Sequence, residues 1–188
     1  VDAFSLERVN KSGAKFDPDK TKWFNQQYLR KTADSELAVS FLKVIVEKLP
    51  GSSPSPAYVE NVCKLIKEKA HFTSELWDLG SYFFIPPANY DAVVVKKRWD
   101  ENAAKFILKL KENFQSTSSF TAAETEIVFK ATAEQLQMQA GQLMQLFRVC
   151  ISGAAGGPML FDMVEVIGKE EILKRLDKAL EEIPKIKN

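Results

Sequence analysis

Few side chains in this 188-residue sequence are placed to do covalent or acid–base chemistry. The one histidine, His71, offers too few ligands for a His/Cys zinc site, and a lone imidazole is more often a surface residue than a catalyst. Cys63 and Cys150 each lie within a helical apolar pattern and not in a C-x-x-C spacing, which favours buried thiols in a reducing compartment. We therefore expect no catalytic residue and no metal site in this chain, and we expect a cytoplasmic protein.

Two other patterns could carry chemistry, and neither has the spacing that the chemistry needs. Glu170-Glu171 and Glu181-Glu182 are adjacent residues of a helical segment, so their carboxylates point in different directions and cannot act as an acid–base pair. The run from Gly153 to Gly157 lacks both the preceding strand and the Gly-Lys-Ser/Thr of a phosphate-binding loop. A small helical enzyme is therefore the least favoured function.

The elements that would position these residues are all helical. Apolar residues recur at helical spacing along most of the chain, the connections are two to eight residues long, and no convincing period-2 alternation occurs. Asp17-Pro18, Ser55-Pro56 and a capping box at Thr121 to Glu124 predict helix starts. One long helix is expected from residue 91 to 114, and a short one from 158 to 166. The predicted fold class is all-α, with two helical subdomains in an orthogonal or superhelical array.

Composition indicates an ordinary globular chain, with 45% hydrophobic and 27% charged residues. No window approaches 18 consecutive apolar residues, so we expect no membrane span. The chain begins at Val1 without a basic-then-apolar leader, and we interpret it as a fragment of a longer protein. Its net charge is only +1, and 8 basic residues face 10 acidic ones from residue 120 onward, so any RNA contact there must be local.

Two segments resemble the C-terminal half of bacterial-type glutamyl-tRNA synthetases, a family of class I aminoacyl-tRNA synthetases. In residues 4–30 the matching positions lie where the family's chain leaves the catalytic core through a stem-contact region: Phe16-Asp17, Lys20, Trp23, Asn25 and Tyr28. In residues 141–176 they belong to the final anticodon-binding helices: Arg148, Ser152-Gly153, Pro158, Leu160-Phe161 and Gly168-Lys169-Glu170. The helical order between them also fits, so the likeness covers nearly the whole chain.

The resemblance implies the fold and the partner. It implies a helical cage that binds the anticodon, made of a stem-contact remnant with a linking helix (1–34), a first subdomain (35–116) and a second subdomain (117–188). The partner would be tRNA(Glu), bound by a monomer. The intact protein would attach glutamate to this tRNA with ATP and Mg, whereas the fragment lacks the catalytic domain and should be inactive alone, without a cofactor.

The resemblance also assigns the residues that bind the anticodon. The arginine that matches Arg148 contacts anticodon bases in family members, and the turn that matches Gly157, Pro158, Leu160 and Phe161 lines the same pocket. A planar guanidinium can stack on an unstacked base, and glycine lets the backbone approach it closely. The competing interpretations are a solvated surface position for Arg148 and core packing for Leu160 and Phe161.

Three further points stay open at this level. Lys96-Lys97-Arg98, the densest basic cluster, either contacts the tRNA backbone through phosphates or forms a solvated helix face. The segment that matches Asp78 to Phe84 has no arginine where discriminating family members read the first anticodon base, and Ser81 lies near that place, so tRNA(Gln) is also a possible substrate. A stand-alone helical module that binds a protein is the alternative function, and Arg148 and the basic cluster would then be dispensable for binding.

Overall fold

Helices follow one another with short connections through residues 17–187, the part of the chain that this computed structural model describes, with Lys187 described by its backbone alone. Within that part there are ten α-helices and no strand, which confirms the all-α prediction. The helices are α1 (Pro18–Lys31), α2 (Asp34–Lys48), α3 (Pro56–Ile66), α4 (Leu76–Gly80), α5 (Ala92–Arg98), α6 (Glu101–Ser116), α7 (Ala122–Gln135), α8 (Ala140–Ser152), α9 (Leu160–Ile167) and α10 (Lys169–Lys187). Single 3₁₀ turns follow α3 (Lys67–Lys69) and flank α4 (Thr73–Glu75 and Ser81–Phe83). Phe16 and the rest of the stretch before Asp17 lie outside the described residues.

Three helix starts form where the sequence predicts them. The Asp17 carboxylate accepts hydrogen bonds from the N–H groups two and three residues later, at 3.1 and 3.2 Å, and Ser55 Oγ accepts the N–H three residues later at 3.2 Å. Thr121 Oγ likewise accepts the third N–H of α7, at 3.3 Å. The N–H of Ala122 donates to the Glu165 carboxylate of α9 at 2.6 Å, so a tertiary contact completes this cap.

The single long helix predicted from residue 91 to 114 is wrong, because the chain leaves the helix at Trp99 and starts α6 after Asp100. Trp99 is buried and extended, with φ −87° and ψ 117°. The Asp100 carboxylate accepts the N–H of Ala103 at 2.7 Å, which begins α6. The apolar spacing continues across this break, whereas an aspartate in N-cap geometry stabilises a new helix start. The separate α5 then packs against α8.

We expect Asp100→Ala to lower the free energy of unfolding by about 1 kcal/mol, because the substitution removes the acceptor at the start of α6. Asp100→Asn keeps a side-chain oxygen in the same place and should cost less. Urea unfolding of both variants measures the difference. An Asp100→Ala variant as stable as the unchanged chain would show that packing of Trp99 alone produces the break.

Helix α9 begins at Leu160, two residues later than the sequence predicts, so the predicted helix start near Pro158 is wrong. After α8 the chain turns out of the helix at Gly153, whose φ of 78° is left-handed. The loop stays non-helical up to the start of α9, because Gly157 has a φ of 153° and Met159 has a ψ of 130°. Lys69 Nζ donates to the carbonyl of Gly157 at 2.6 Å. The first free N–H groups of α9 therefore belong to Leu160 and its successors.

The aromatic core joins the two predicted subdomains. The ring of Phe114, in α6, lies 6.0 Å from that of Phe147, in α8, and Phe106 lies 5.1 Å from Phe129, in α7. Helix α10 packs along both α6 and α8. The division of the chain at residue 117 therefore stays a prediction. Across residues 17–187, no helix is both long enough and apolar enough to cross a membrane.

A buried arginine lies in this core. Arg175, in α10, is 1% exposed, and its Nη1 donates to the carbonyls of Tyr82 and Ile151 at 2.7 and 2.8 Å. Its Nε donates to the Glu171 carboxylate at 2.7 Å. The Ile151 carbonyl is in the last turn of α8, where helix geometry leaves carbonyls without an intrahelical partner. Arg175 thereby joins three segments: the turn after α4, the end of α8, and α10.

Candidate nucleic-acid interface

An open groove with a volume of about 820 Å³ lies between three parts of the chain. One wall is the end of α3 with the turn that follows it, the second is the exposed side of α8, and the third is the loop between α8 and α9 with the start of α9. The groove is lined, wall by wall, by Lys64, Leu65, Glu68 and Lys69; by Gly141, Met144, Gln145 and Arg148; and by Ala155, Gly157, Pro158, Met159, Leu160 and Asp162. We call it the α3–α8 groove.

Arg148 lies on the α8 wall of this groove. Its side chain is half-buried, and the fully buried Nη1 has no hydrogen-bond partner among the described residues. The hydroxyl of Tyr82, which lies outside the lining of the groove, is likewise buried without a hydrogen-bond partner among residues 17–187. Burial lowers the pKa of Arg148, although a guanidinium keeps its charge in proteins, and burial raises the pKa of Tyr82 to about 12. A buried polar group without a partner marks a place where a ligand or water can supply an acceptor.

Gly157 is the part of the loop that lies against this guanidinium. Its φ of 153° is one that L side chains rarely adopt, and a Cβ at this position would lie 2.8 Å from Arg148 Nη1. Glycine therefore permits a close approach that another residue would block. Behind Gly157 a smaller cavity of about 220 Å³ is lined in part by Asp78 and Tyr82, from the segment that the resemblance connects with the first anticodon base.

The α3 wall was not predicted from the sequence. Lys64, Glu68 and Lys69 line it, and Lys69 Nζ joins it to the loop through the carbonyl of Gly157 at 2.6 Å. The basic run at the end of α3 was a visible signal, but it lies far from Arg148 along the chain, and only the fold brings the two together. The groove thus has cationic side chains on two walls although the last third of the chain is acidic.

The predicted residues on the α9 side have different positions. Pro158 and Leu160 line the groove. Phe161 is 6% exposed, and its ring lies 5.6 Å from that of Phe129 in the core. The structure therefore places Phe161 behind the wall of the groove, next to Leu160. Its predicted contact with an anticodon base stays a prediction, and its observed contacts are those of a core residue.

The basic cluster Lys96-Lys97-Arg98 forms the last turn of α5. Arg98 reaches across to α8, where its Nε donates to Gln145 Oε1 at 2.9 Å and its Nη1 to the Gln142 carbonyl at 3.3 Å. Gln145 lines the α3–α8 groove, so Arg98 holds that wall in place. Lys96 and Lys97 are exposed to solvent, and their contact with an RNA backbone stays a prediction.

The remaining residues that could do chemistry are His71, Cys63 and Cys150. The Glu75 carboxylate accepts the His71 N–H at 2.7 Å and lies 3.5 Å from His71 Nδ1. Cys63 and Cys150 are buried free thiols, and burial raises the pKa of both, to about 12 for Cys63. In the described part of the chain, no three His, Cys, Asp or Glu residues are grouped so that they could hold a metal ion.

The sequence of the chain is similar to those of known proteins. The family model described as Anticodon binding domain matches residues 27–180. Over 180 residues the chain is 44% identical to the glutamate–tRNA ligase of Flavobacterium johnsoniae and 42% identical to that of Flavobacterium psychrophilum. Each match covers 96% of this chain and 35% of the relative, so the chain spans about a third of the length of the curated relatives that it matches.

Solved structures show the same relationship. The chain is similar to the crystal structure of a glutamate tRNA ligase from Elizabethkingia meningosepticum in complex with its amino acid, with a TM-score of 0.88 and 33% identity over 96% of this chain and 35% of that one. The resemblance of residues 4–30 and 141–176 to glutamyl-tRNA synthetases is confirmed. Since the family model matches most of the length of this chain, the chain belongs to the anticodon binding domain family.

Proposed function

We propose that the α3–α8 groove holds unstacked bases of a tRNA anticodon, and that the chain is the anticodon-reading part of a longer ligase that attaches glutamate to tRNA(Glu). The observation that carries this proposal is Arg148, a half-buried guanidinium that lines an open groove and whose Nη1 has no acceptor in the described part of the chain. A guanidinium offers a planar face on which a base can stack and several donors for a base edge.

The chemistry of glutamate attachment would belong to the part of the ligase that lies outside the matched third. The relatives are named glutamate–tRNA ligases, and the chain covers 35% of their length. We assign ATP and Mg to the remaining part, and tRNA recognition alone to this chain. The buried thiols of Cys63 and Cys150 fit a protein that works in the reducing cytoplasm.

The walls of the groove offer different chemistry to an RNA. Pro158 and Leu160 present apolar surface to the face of a base, and Met159 is 74% exposed beside them. On the opposite wall, Lys64 and Lys69 can meet phosphate oxygens. Because so few cations line the groove, recognition would depend on a few placed contacts and not on bulk charge.

Titration with anticodon stem-loops tests this function. We expect weak binding of the tRNA(Glu) stem-loop, with an affinity that falls as salt rises by the shallow slope of a few phosphate contacts. A scrambled anticodon should bind less tightly, because base edges carry the specificity. Equal affinity for the two loops would contradict base readout. The tRNA(Gln) stem-loop, as a third ligand, measures whether the first anticodon base is read.

We expect Gly157→Ala to displace the Arg148 guanidinium and weaken stem-loop binding, with a cost of about 1–3 kcal/mol in unfolding free energy from backbone strain. Gly156→Ala is the matched control, because a Cβ at that position meets nothing within 4 Å. Urea unfolding and titration of both variants provide the comparison. If the two variants bind the stem-loop equally well, Gly157 has no part in positioning Arg148.

A further inference from the structure

A second buried polar atom lies near the guanidinium of Arg148. Like Arg148 Nη1, the hydroxyl of Tyr82 makes no hydrogen bond to any residue in the range 17–187. Both atoms lie close to the place that a Cβ of Gly157 would occupy, at 2.8 Å for Arg148 Nη1 and 3.5 Å for Tyr82 Oη. The two unpaired atoms therefore border the same small region beside Gly157.

The fold holds Tyr82 in this position. Its carbonyl accepts the hydrogen bond from the buried Arg175 at 2.7 Å, and its ring packs against that of Phe83, with centroids 4.7 Å apart. Because burial raises the pKa of the hydroxyl to about 12, the oxygen keeps its proton near neutral pH and can donate it. Tyr82 thus provides a fixed donor next to the donor of Arg148.

The oxygen of Tyr82 brings no benefit to the free chain that its contacts reveal. Most buried polar atoms in folded proteins are paired, and an unpaired one costs free energy. Phenylalanine would fill the same space without that cost. A hydroxyl kept in such surroundings fits a site whose acceptor arrives with a ligand.

Two donors that border one region select an atom that can accept from both. A carbonyl oxygen has two lone pairs, whereas a ring nitrogen of a base has one. A phosphate oxygen could also accept twice, but the small cavity that Tyr82 lines has apolar walls at Ile66 and Leu79. The charges of Asp78 and Lys69, which line it too, offset each other. These surroundings favour the edge of a neutral base over a phosphate.

We propose that Tyr82 is a specificity-determining residue of the anticodon site, and that its hydroxyl and Arg148 Nη1 together bind the carbonyl oxygen of one anticodon base. The inference rests on the proposed function and adds a residue to it. Since both atoms are buried beside Gly157, the loop has to move before a base reaches them. Among the described residues, the only hydrogen bond to residues 155–158 comes from Lys69, so a single polar contact ties the loop down.

Tyr82→Phe removes the hydroxyl alone and tests the proposal. We expect the tRNA(Glu) stem-loop to bind about 3- to 10-fold more weakly, the effect of one lost hydrogen bond. The Tm of the free chain should stay the same or rise, because the substitution removes a buried polar atom that has no described partner. Unchanged affinity would overturn the proposal. A Tm lowered by more than about 2 °C would also overturn it, because the hydroxyl would then stabilise the fold.

Tyr58→Phe is the matched control, since it deletes the same oxygen from a hydroxyl that has a partner. Tyr58 Oη donates to the Phe83 carbonyl at 2.7 Å, so its loss should lower Tm. Stem-loop affinity should not change, because Tyr58 lines neither the α3–α8 groove nor the small cavity behind Gly157. Equal weakening of binding by Tyr58→Phe and Tyr82→Phe would show that the segment, and not the Tyr82 hydroxyl, affects the site, and the proposal would be wrong.

Stem-loops in which one anticodon base at a time is replaced by adenine test the carbonyl oxygen, because adenine has none. With the unchanged chain, we expect the replacement to weaken binding most at one position. With Tyr82→Phe, the loss at that position should shrink and the losses at the other positions should persist. The same losses at every position in both proteins would rule out a shared carbonyl oxygen.

The same titrations separate the two proposals. If the unchanged chain binds all the stem-loops equally well, the proposed function fails and the role of Tyr82 fails with it. If the unchanged chain distinguishes them and Tyr82→Phe distinguishes them to the same extent, anticodon reading stands and only the role of Tyr82 is excluded.

Discussion

Replacing Arg175 with methionine is expected to lower the free energy of unfolding by about 3–5 kcal/mol, the largest effect that we expect from any single side chain here. Methionine fills part of the volume but donates no hydrogen bond, so the carbonyls of Tyr82 and Ile151 would remain in the core without their donor. Each unsatisfied buried acceptor costs about 1–3 kcal/mol. Urea denaturation followed by far-UV circular dichroism measures the loss.

The partner carboxylate provides the control for this substitution. Glu171→Gln keeps a side-chain oxygen that can accept from Arg175 Nε. Because Glu171 is 35% exposed, we expect the loss of its charge to lower the free energy of unfolding by no more than about 1 kcal/mol. The contrast between the two variants separates the carbonyl contacts from the ion pair. Similar losses for Arg175→Met and Glu171→Gln would show that the ion pair, and not the two carbonyl contacts, stabilises the core.

The second large effect is on binding. We expect Arg148→Ala to weaken binding of the tRNA(Glu) stem-loop by about 1–3 kcal/mol, the range for a base-stacking or bidentate contact. The stability of the chain should change little, because the buried Nη1 makes no hydrogen bond to any described residue that the substitution would break. Fluorescence titration with a labelled stem-loop gives the affinity, and urea unfolding checks the fold.

Two further variants show whether planarity or charge matters at this position. Arg148→Lys keeps the charge but not the planar guanidinium, so it should recover little of the lost affinity. Lys130→Ala removes a cation that is 60% exposed and pairs with Glu126 on α7, and it should leave binding unchanged. Full recovery with lysine would mean that the groove uses a simple phosphate contact, and base readout by Arg148 would be ruled out.

Local signals in the sequence were sufficient for the helix starts but not for the break between α5 and α6. A capping residue followed by proline stabilises a helix start through contacts within the first turn. Asp17 and Ser55 therefore begin helices without help from residues distant in the sequence. At Asp100 the apolar spacing runs through the break, and the cap competes with continuation of the helix. Burial of Trp99 and the packing of α5 on α8 decide the outcome, and both depend on the tertiary structure.

The candidate site was only partly predictable for the same reason. Arg148 and Gly157 lie close together in the sequence, so the resemblance of the single segment 141–176 predicts both. The lysines at the end of α3 join them only through the hydrogen bond from Lys69 to Gly157, which no sequence pattern reveals. Arg175 was missed because an arginine four residues after Glu171 has the spacing of a surface ion pair, although it is 1% exposed.

The two buried cysteines simplify experiments that attach a reporter. Cys63 and Cys150 are both 0% exposed, and the raised pKa keeps each sulfur protonated, whereas maleimide dyes react with an accessible thiolate. The native chain therefore resists labelling without removal of either cysteine. A single new thiol from Met159→Cys would carry the dye at the rim of the α3–α8 groove, where its emission could report directly on occupancy.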